Sequence, residues 1–197
     1  MQRAIDKDLL DWKEKRHRKP LILRGARQVG KTTAIKALGD RFSNVVELNF
    51  EENTEFNSFF DENINPEKIV TDLENYLGTS IQAGETLLFF DEIQYCPRAL
   101  LSLRYFYEKT PDLHVIAAGS LIEFELERIS FPVGRVEFYY MYPLNYAEFV
   151  TALGKERLLS YQATGEEIPK AIHSELANLL RDYTIIGGMP EVVREYI

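Results

Sequence analysis

Cysteine is almost absent from this sequence. A single one, Cys96, stands among 197 residues, which excludes an internal disulfide and any multi-cysteine metal site and agrees with a reducing compartment. Histidine is scarce too: His17, His114 and His173 are scattered, without the spacing of shared metal ligands, and read as structural or solvated. No apolar run approaches the roughly 20 residues that span a membrane, and the start Met1-Gln2-Arg3-Ala4-Ile5-Asp6 has no apolar signal region, so the expected location is the cytoplasm. Positive charge is in deficit. With 23 Lys and Arg against 31 Asp and Glu the net charge is −8, which argues against a broad non-specific nucleic-acid surface and leaves a local one open. What remains is ordinary globular material, 45% hydrophobic and 27% charged, long enough for an α/β domain with a buried core and a small appendage.

Within that material one stretch carries specific chemistry. Gly25-Ala26-Arg27-Gln28-Val29-Gly30-Lys31-Thr32 places two glycines ahead of Lys and a hydroxyl residue, between an apolar run, Leu21-Ile22-Leu23, that reads as a strand and a segment, Thr32 to Leu38, that reads as a helix. Backbone N–H groups of a tight loop beside a helix N-terminus make an anion-binding nest, and the helix dipole favours negative charge there. Gly25 and Gly30 permit the loop dihedrals and the close approach of backbone to phosphate. Lys31 would set its ammonium against the β and γ phosphates, and the Thr32 hydroxyl would hold Mg²⁺, a hard cation that shares its shell between protein oxygens, waters and phosphates.

A second constellation follows at Thr86-Leu87-Leu88-Phe89-Phe90-Asp91-Glu92. Four consecutive apolar residues read as a strand buried on both faces, and two carboxylates at its end are costly unless they face a site. Asp91 would bind Mg²⁺ through its water shell, and Glu92 would orient and polarise an attacking water. The run His114-Val115-Ile116-Ala117-Ala118 reads as another buried strand ending at Gly119-Ser120. Ser120 either hydrogen-bonds a γ phosphate or the water, or caps a following helix.

The rest of the chain supplies the frame. Residues 4 to 16 read as an amphipathic helix carrying Ile5, Leu9 and Trp12 and ending in a basic cluster, Lys13, Lys15, Arg16, Arg18 and Lys19, that complements the helix dipole or meets an acidic partner or nucleic acid. Val45 to Phe50 reads as a strand, and Glu51, Glu52 and Glu55 beyond it form a solvated loop or reach the site. Phe56 to Leu77 is helical, interrupted by Asn65-Pro66; Ile93 to Lys109 is loop and helix, with Arg98 and Arg104 solvated or aimed at a neighbouring subunit. After Gly134-Arg135, the alternation of Val136, Phe138, Tyr140 and Tyr142 against Glu137, Tyr139 and Met141 reads as a strand whose aromatics serve core and interface. Beyond Asn145, helices at about 145–153 and 168–182, a Gly187-Gly188-Met189-Pro190 turn and a last helix form a small appendage, dividing the chain into residues 1–143 and 144–197.

Taken together the motifs resemble the AAA-type branch of P-loop ATPases, and more narrowly a bacterial and archaeal family in which such a domain precedes a C-terminal domain of unknown function. The matching residues are Pro20 to Thr33, Leu87 to Gln94, Ala118-Gly119-Ser120, Gly134-Arg135, Tyr142-Pro143-Leu144 and Gly187 to Glu191. The resemblance implies a P-loop NTPase fold, a three-layer α/β/α parallel sheet with a small helical lid, and ATP with Mg²⁺ as ligands. It implies phosphate-loop roles for Gly25, Ala26, Arg27, Gln28, Val29, Gly30, Lys31, Thr32 and Thr33, metal binding by Thr32 and Asp91, water activation by Glu92, a sensor role for Ser120 and a charge-stabilising role for Arg135. Proteins of that family continue past the position of Ile197, so the chain resembles an N-terminal ATPase piece. The expected activity is ATP hydrolysis to ADP coupled to a partner; a slowly turning nucleotide switch and a P-loop small-molecule kinase are the alternatives. A homo-oligomer, a protein partner and DNA all stay open as partners.

Overall fold

Strands with no polar residue between their ends need cover on both faces, and that demand sets the architecture. The structure, a computed structural model, describes residues 1–61, 64–120, 134–161 and 168–197. Its strands β1 (Leu21–Arg24), β2 (Asn44–Asn49), β3 (Thr86–Asp91), β4 (His114–Gly119) and β5 (Glu137–Tyr140) form a parallel sheet in the order β2-β3-β4-β1-β5. β3 and β4 are buried at every position. In β1, Leu21 stands beside Ile116 of β4 and Glu137 of β5, and Arg24 beside Gly119 and Tyr140, so the carboxyl ends of these strands open together. Open α/β sheets place their ligands at such ends, where the strand order reverses.

Alternate side chains divide the core between two helical layers, as the period of two in a strand requires. Leu21, Leu23, Leu87, Phe89, Ile116 and Ala118 face α1 (Ile5–Glu14) and α2 (Lys31–Gly39), meeting Leu9, Trp12, Ile35 and Leu38. Ile22, Leu88, Phe90, Val115 and Ala117 face the opposite layer, made of α3 (Ser58–Asp61), α4 (Pro66–Leu77) and α5 (Pro97–Lys109), meeting Phe60, Ile69, Leu73, Leu103 and Phe106. The three-layer α/β/α sheet of the sequence reading is therefore the observed fold. Pro66 occupies the first turn of α4, where its missing N–H costs nothing, and Gly78 ends the helix in the left-handed region with its N–H on the Glu74 carbonyl.

Two local expectations change. The helix from Phe56 breaks into a tight turn at Thr54–Asn57 and the single-turn α3 before α4. In the β5 region Val136 and Met141 are buried, but Tyr140 and Tyr142 are 48% and 69% exposed and stack on each other, because the strand ends at Tyr140 and leaves the sheet's cover. Arg98 and Arg104 lie exposed on the helix face, in keeping with the solvated reading, and bond the Phe60 carbonyl and Glu108 of their own chain. The helix expected after Ser120 lies outside the described residues. Beyond Asn145, α6 (Tyr146–Ala152), α7 (Lys170–Ile186) and α8 (Pro190–Tyr196) gather around their own apolar cluster, Leu144, Phe149, Val150, Leu179 and Val193. Asn145 and Glu148 close a reciprocal capping box at the start of α6. Among the described residues no helix is long and apolar enough to cross a membrane.

Candidate functional site

The loop from Gly25 to Gly30 joins β1 to α2, and its backbone explains its residues. Gly25 has φ +153 and would place a Cβ 2.2 Å from the Met141 carbonyl oxygen, so no side chain fits there. Gly30, at φ +99, is the N-cap of α2 and offers no side-chain cap to the first-turn N–H groups. Those donors, with the dipole behind them, are what an anion requires. Val29 turns its side chain into the α1–α2 core layer, so this member of the loop anchors it from beneath. Gln28 takes φ +66, a left-handed conformation rare for a residue with a Cβ.

Lys31 folds back over the loop. Its Nζ donates to the carbonyls of Gly25 and Ala26, at 2.9 Å each. Burial lowers its pKa, opposed by the charges of Glu92 and Asp91. Thr32 donates its hydroxyl to Asp91 Oδ2 at 2.9 Å, from the first turn of α2 to the end of β3. The other carboxylate oxygen, Oδ1, accepts the Glu92 N–H at 3.0 Å. Burial pushes the Asp91 pKa up, and these two donors hold it back. Glu92 follows in the left-handed region at φ +49, with Oε2 accepting from Gln94 Nε2 at 2.5 Å. Backbone strain of this kind persists where surrounding contacts over-determine it, and it collects at functional sites.

Gln28, Gly30, Lys31, Thr32, Thr33 and Glu92 line a cavity of about 500 Å³, and Asp91 lies buried behind it, reached through Thr32. That volume is in the range of a small-molecule or cofactor site. Ser120 directly follows β4, whose last residue, Gly119, stands beside Arg24 at the end of β1. Arg27 points away from the cavity to Glu51, at 2.9 Å, and Tyr95 donates to the same carboxylate at 3.2 Å, which accounts for one of the acidic residues after β2. Arg135 is a further member of the expected set that the fold does not bring in. It precedes β5 at the amino end of the sheet and pairs with Glu108 at 3.1 Å, about 15 Å of strand away from the phosphate loop. A place for Arg135 in the site of its own chain is thereby corrected: a parallel strand carries its first and last residues to opposite edges of the sheet.

The cavity also has walls that sequence reasoning missed: Arg3, Met141, Leu144, Pro190, Glu191 and Arg194. The last three belong to α8. A physical signal for them existed in two short motifs, because Gly188 would place a Cβ 2.0 Å from the Leu144 carbonyl oxygen and its own carbonyl accepts the Leu144 N–H at 2.6 Å. Tyr142-Pro143-Leu144 and Gly187-Gly188-Met189-Pro190-Glu191 thus meet backbone to backbone and carry α8 to the site.

The donor set fits the ligands expected of it. A hard divalent cation held beside phosphates needs one or two protein oxygens, and the Thr32 hydroxyl and Asp91 carboxylate form such a pair. Among the described residues no group of three or more His, Cys, Asp or Glu is assembled as an all-protein metal cage.

No curated protein matches the chain. Among solved structures, a Walker-type ATPase of Pyrococcus abyssi is similar at 19% identity and TM-score 0.55, over 98% of this chain and 65% of that one. Drosophila ORC bound to DNA is similar at 18% identity and TM-score 0.53, over 98% and 56%. The Aeropyrum pernix ORC1 protein in complex with DNA is similar at 12% identity and TM-score 0.51, over 80% and 50%. The chain therefore spans between half and two thirds of the length of these proteins, and the likeness shows a shared fold. The family model described as AAA domain matches residues 17–150, from the approach to β1 through the phosphate loop and the β3 carboxylates into α6. The chain belongs to this AAA family, as an AAA-type P-loop ATPase domain whose general function is ATP binding.

Proposed function

We propose that the chain binds ATP with Mg²⁺ at the loop Gly25–Thr33 and hydrolyses it to ADP and phosphate, coupling the cycle to a partner. The observation that carries this reading is the convergence of Lys31, Thr32, Asp91 and Glu92 at the carboxyl ends of β1 and β3. Loop N–H groups and the α2 N-terminus bind the phosphates, and Lys31 exchanges its two carbonyl partners for phosphate oxygens. Thr32 and Asp91 would hold the metal, which when bound would offset phosphate charge and polarise the γ-phosphoryl group. Glu92 orients a water and takes its proton as the oxygen bonds to the γ phosphorus and the bridge to ADP breaks. Ser120, at the end of β4, contacts the γ phosphate or that water. The helices after Asn145 act as a lid, since α8 supplies Pro190, Glu191 and Arg194 to the cavity wall. Cys96 is buried, its thiol pushed up to about 11 by that burial, and is inert in the proposed cytoplasmic setting.

Lys31→Ala is expected to weaken ATP binding by about 3 kcal/mol, roughly a hundredfold, in calorimetry at constant Mg²⁺. An alanine variant that binds as the parent does would refute the assignment. A second reading, a nucleotide-loaded switch with little turnover, is favoured by the position of Arg135, which pairs with Glu108 at the amino end of the sheet, away from the phosphate loop of its own chain. Sustained phosphate release by the dilute chain counts against it.

A further inference from the structure

Arg3 lies outside the motifs of the sequence, yet its side chain joins three parts of the site. Its side chain is 9% exposed. Nη1 donates to the Val29 carbonyl of the phosphate loop at 2.9 Å, Nη2 to the Tyr142 carbonyl beyond the end of β5 at 2.6 Å, and Nε to Glu148 Oε1 on α6 at 3.1 Å. Glu148 is itself engaged on both oxygens, accepting the Ala4 N–H at 2.7 Å and the Asn145 N–H at 2.9 Å. Burial opposes the charged form of Glu148, and the donors from Ala4, Asn145 and Arg3 outweigh it, holding the carboxyl below its usual range. A guanidinium is a rigid planar fork, so three bonds in different directions fix one relative placement of the segments they join. The Val29 carbonyl shares a peptide plane with the Gly30 N–H, and an anion that fixes this plane from one side fixes the acceptor offered to Arg3 on the other.

We infer that Arg3 is a positioning residue that couples the phosphate loop to α6, carrying the ordering of the loop by nucleotide through the Val29 carbonyl and the Glu148 carboxylate to the helical cluster beyond Asn145. The inference rests on the nucleotide reading of the loop. It gives the segment before α1 a task in the site: with Arg3 in place, loop and lid order together, and without it the loop fills while the lid stays as it was.

Hydrogen exchange on the full chain, with and without saturating Mg²⁺ and a non-hydrolysable ATP analogue, tests this. In the parent the analogue slows exchange in residues 25–33 and, by about fivefold or more, in residues 142–152. In Arg3→Ala at saturating analogue, residues 25–33 slow as in the parent and residues 142–152 do not. Arg3→Lys keeps the charge but lacks the fork, so it uncouples while keeping the fold, and Glu148→Gln cuts the same connection from the other end. A role confined to stability would lower the melting temperature and leave the two responses joined. Equal slowing of residues 142–152 in the parent, Arg3→Lys and Glu148→Gln overturns the inference and leaves the nucleotide reading standing. No slowing of residues 25–33 in the parent overturns that reading, and the inference with it.

Discussion

At Gly25 the missing side chain is a geometric requirement. A methyl group there would lie 2.2 Å from the Met141 carbonyl oxygen, so Gly25→Ala must displace the chain beyond β5 or distort the loop. The variant is expected to lose about 2 kcal/mol in thermal unfolding and to bind nucleotide too weakly to detect by calorimetry. Parent-like melting and binding would mean that the loop adapts freely. The glycines and Lys31 stood out in the sequence because the phosphate-loop pattern asks for those residue types at that spacing. The left-handed backbones of Gln28 and Glu92 were not, since nothing in either residue type calls for φ +66 or φ +49; the surrounding fold imposes them. Arg3 escaped notice for a related reason. Its partners are two backbone carbonyls and Glu148, 145 positions away, and carbonyl acceptors leave no mark in a sequence.

Among the elements, β3 and β4 announced themselves through apolar runs bounded by polar residues, and α4 through Pro66 and its apolar spacing. α3 did not, because a single turn has no period to read. β4 also carries a titration that the sequence could not suggest. His114 packs edge-on against Trp12 of α1 and against Phe42 just after α2, with ring centroids 5.8 and 4.8 Å apart, and burial together with nearby Arg18 pulls its pKa down to about 4. In the unfolded chain the ordinary value is 6.5, so between these values the unfolded state holds the proton that the folded state refuses. This group therefore takes nothing from stability above pH 6.5, and takes about 1.4 kcal/mol per pH unit as pH falls from there toward 4. Denaturant unfolding should show that slope in the parent and lose it in His114→Phe. An identical slope in both proteins would place the titration elsewhere.

For the whole molecule, the division of labour follows from the parallel sheet: the carboxyl ends of the strands hold the phosphate loop and its carboxylates, and the amino end holds Arg135 with Glu108. If Arg135 completes a site in a neighbouring copy, phosphate release per chain rises with protein concentration, and Arg135→Ala lowers it roughly a thousandfold at high concentration while nucleotide affinity of the dilute protein holds. Full activity of Arg135→Ala at every concentration would leave Arg135 with a structural role through its Glu108 and Tyr107 contacts. Two of the structurally similar proteins are described with DNA, but at 12% and 18% identity that likeness extends to the fold alone. The most direct test of the site as a hydrolytic centre is single-turnover phosphate release from prebound ATP by the parent and by Glu92→Gln. The account predicts that Glu92→Gln binds ATP with parent-like affinity and releases phosphate at least about a hundredfold more slowly, the loss expected of a missing general base. Parent-like release by Glu92→Gln would contradict it.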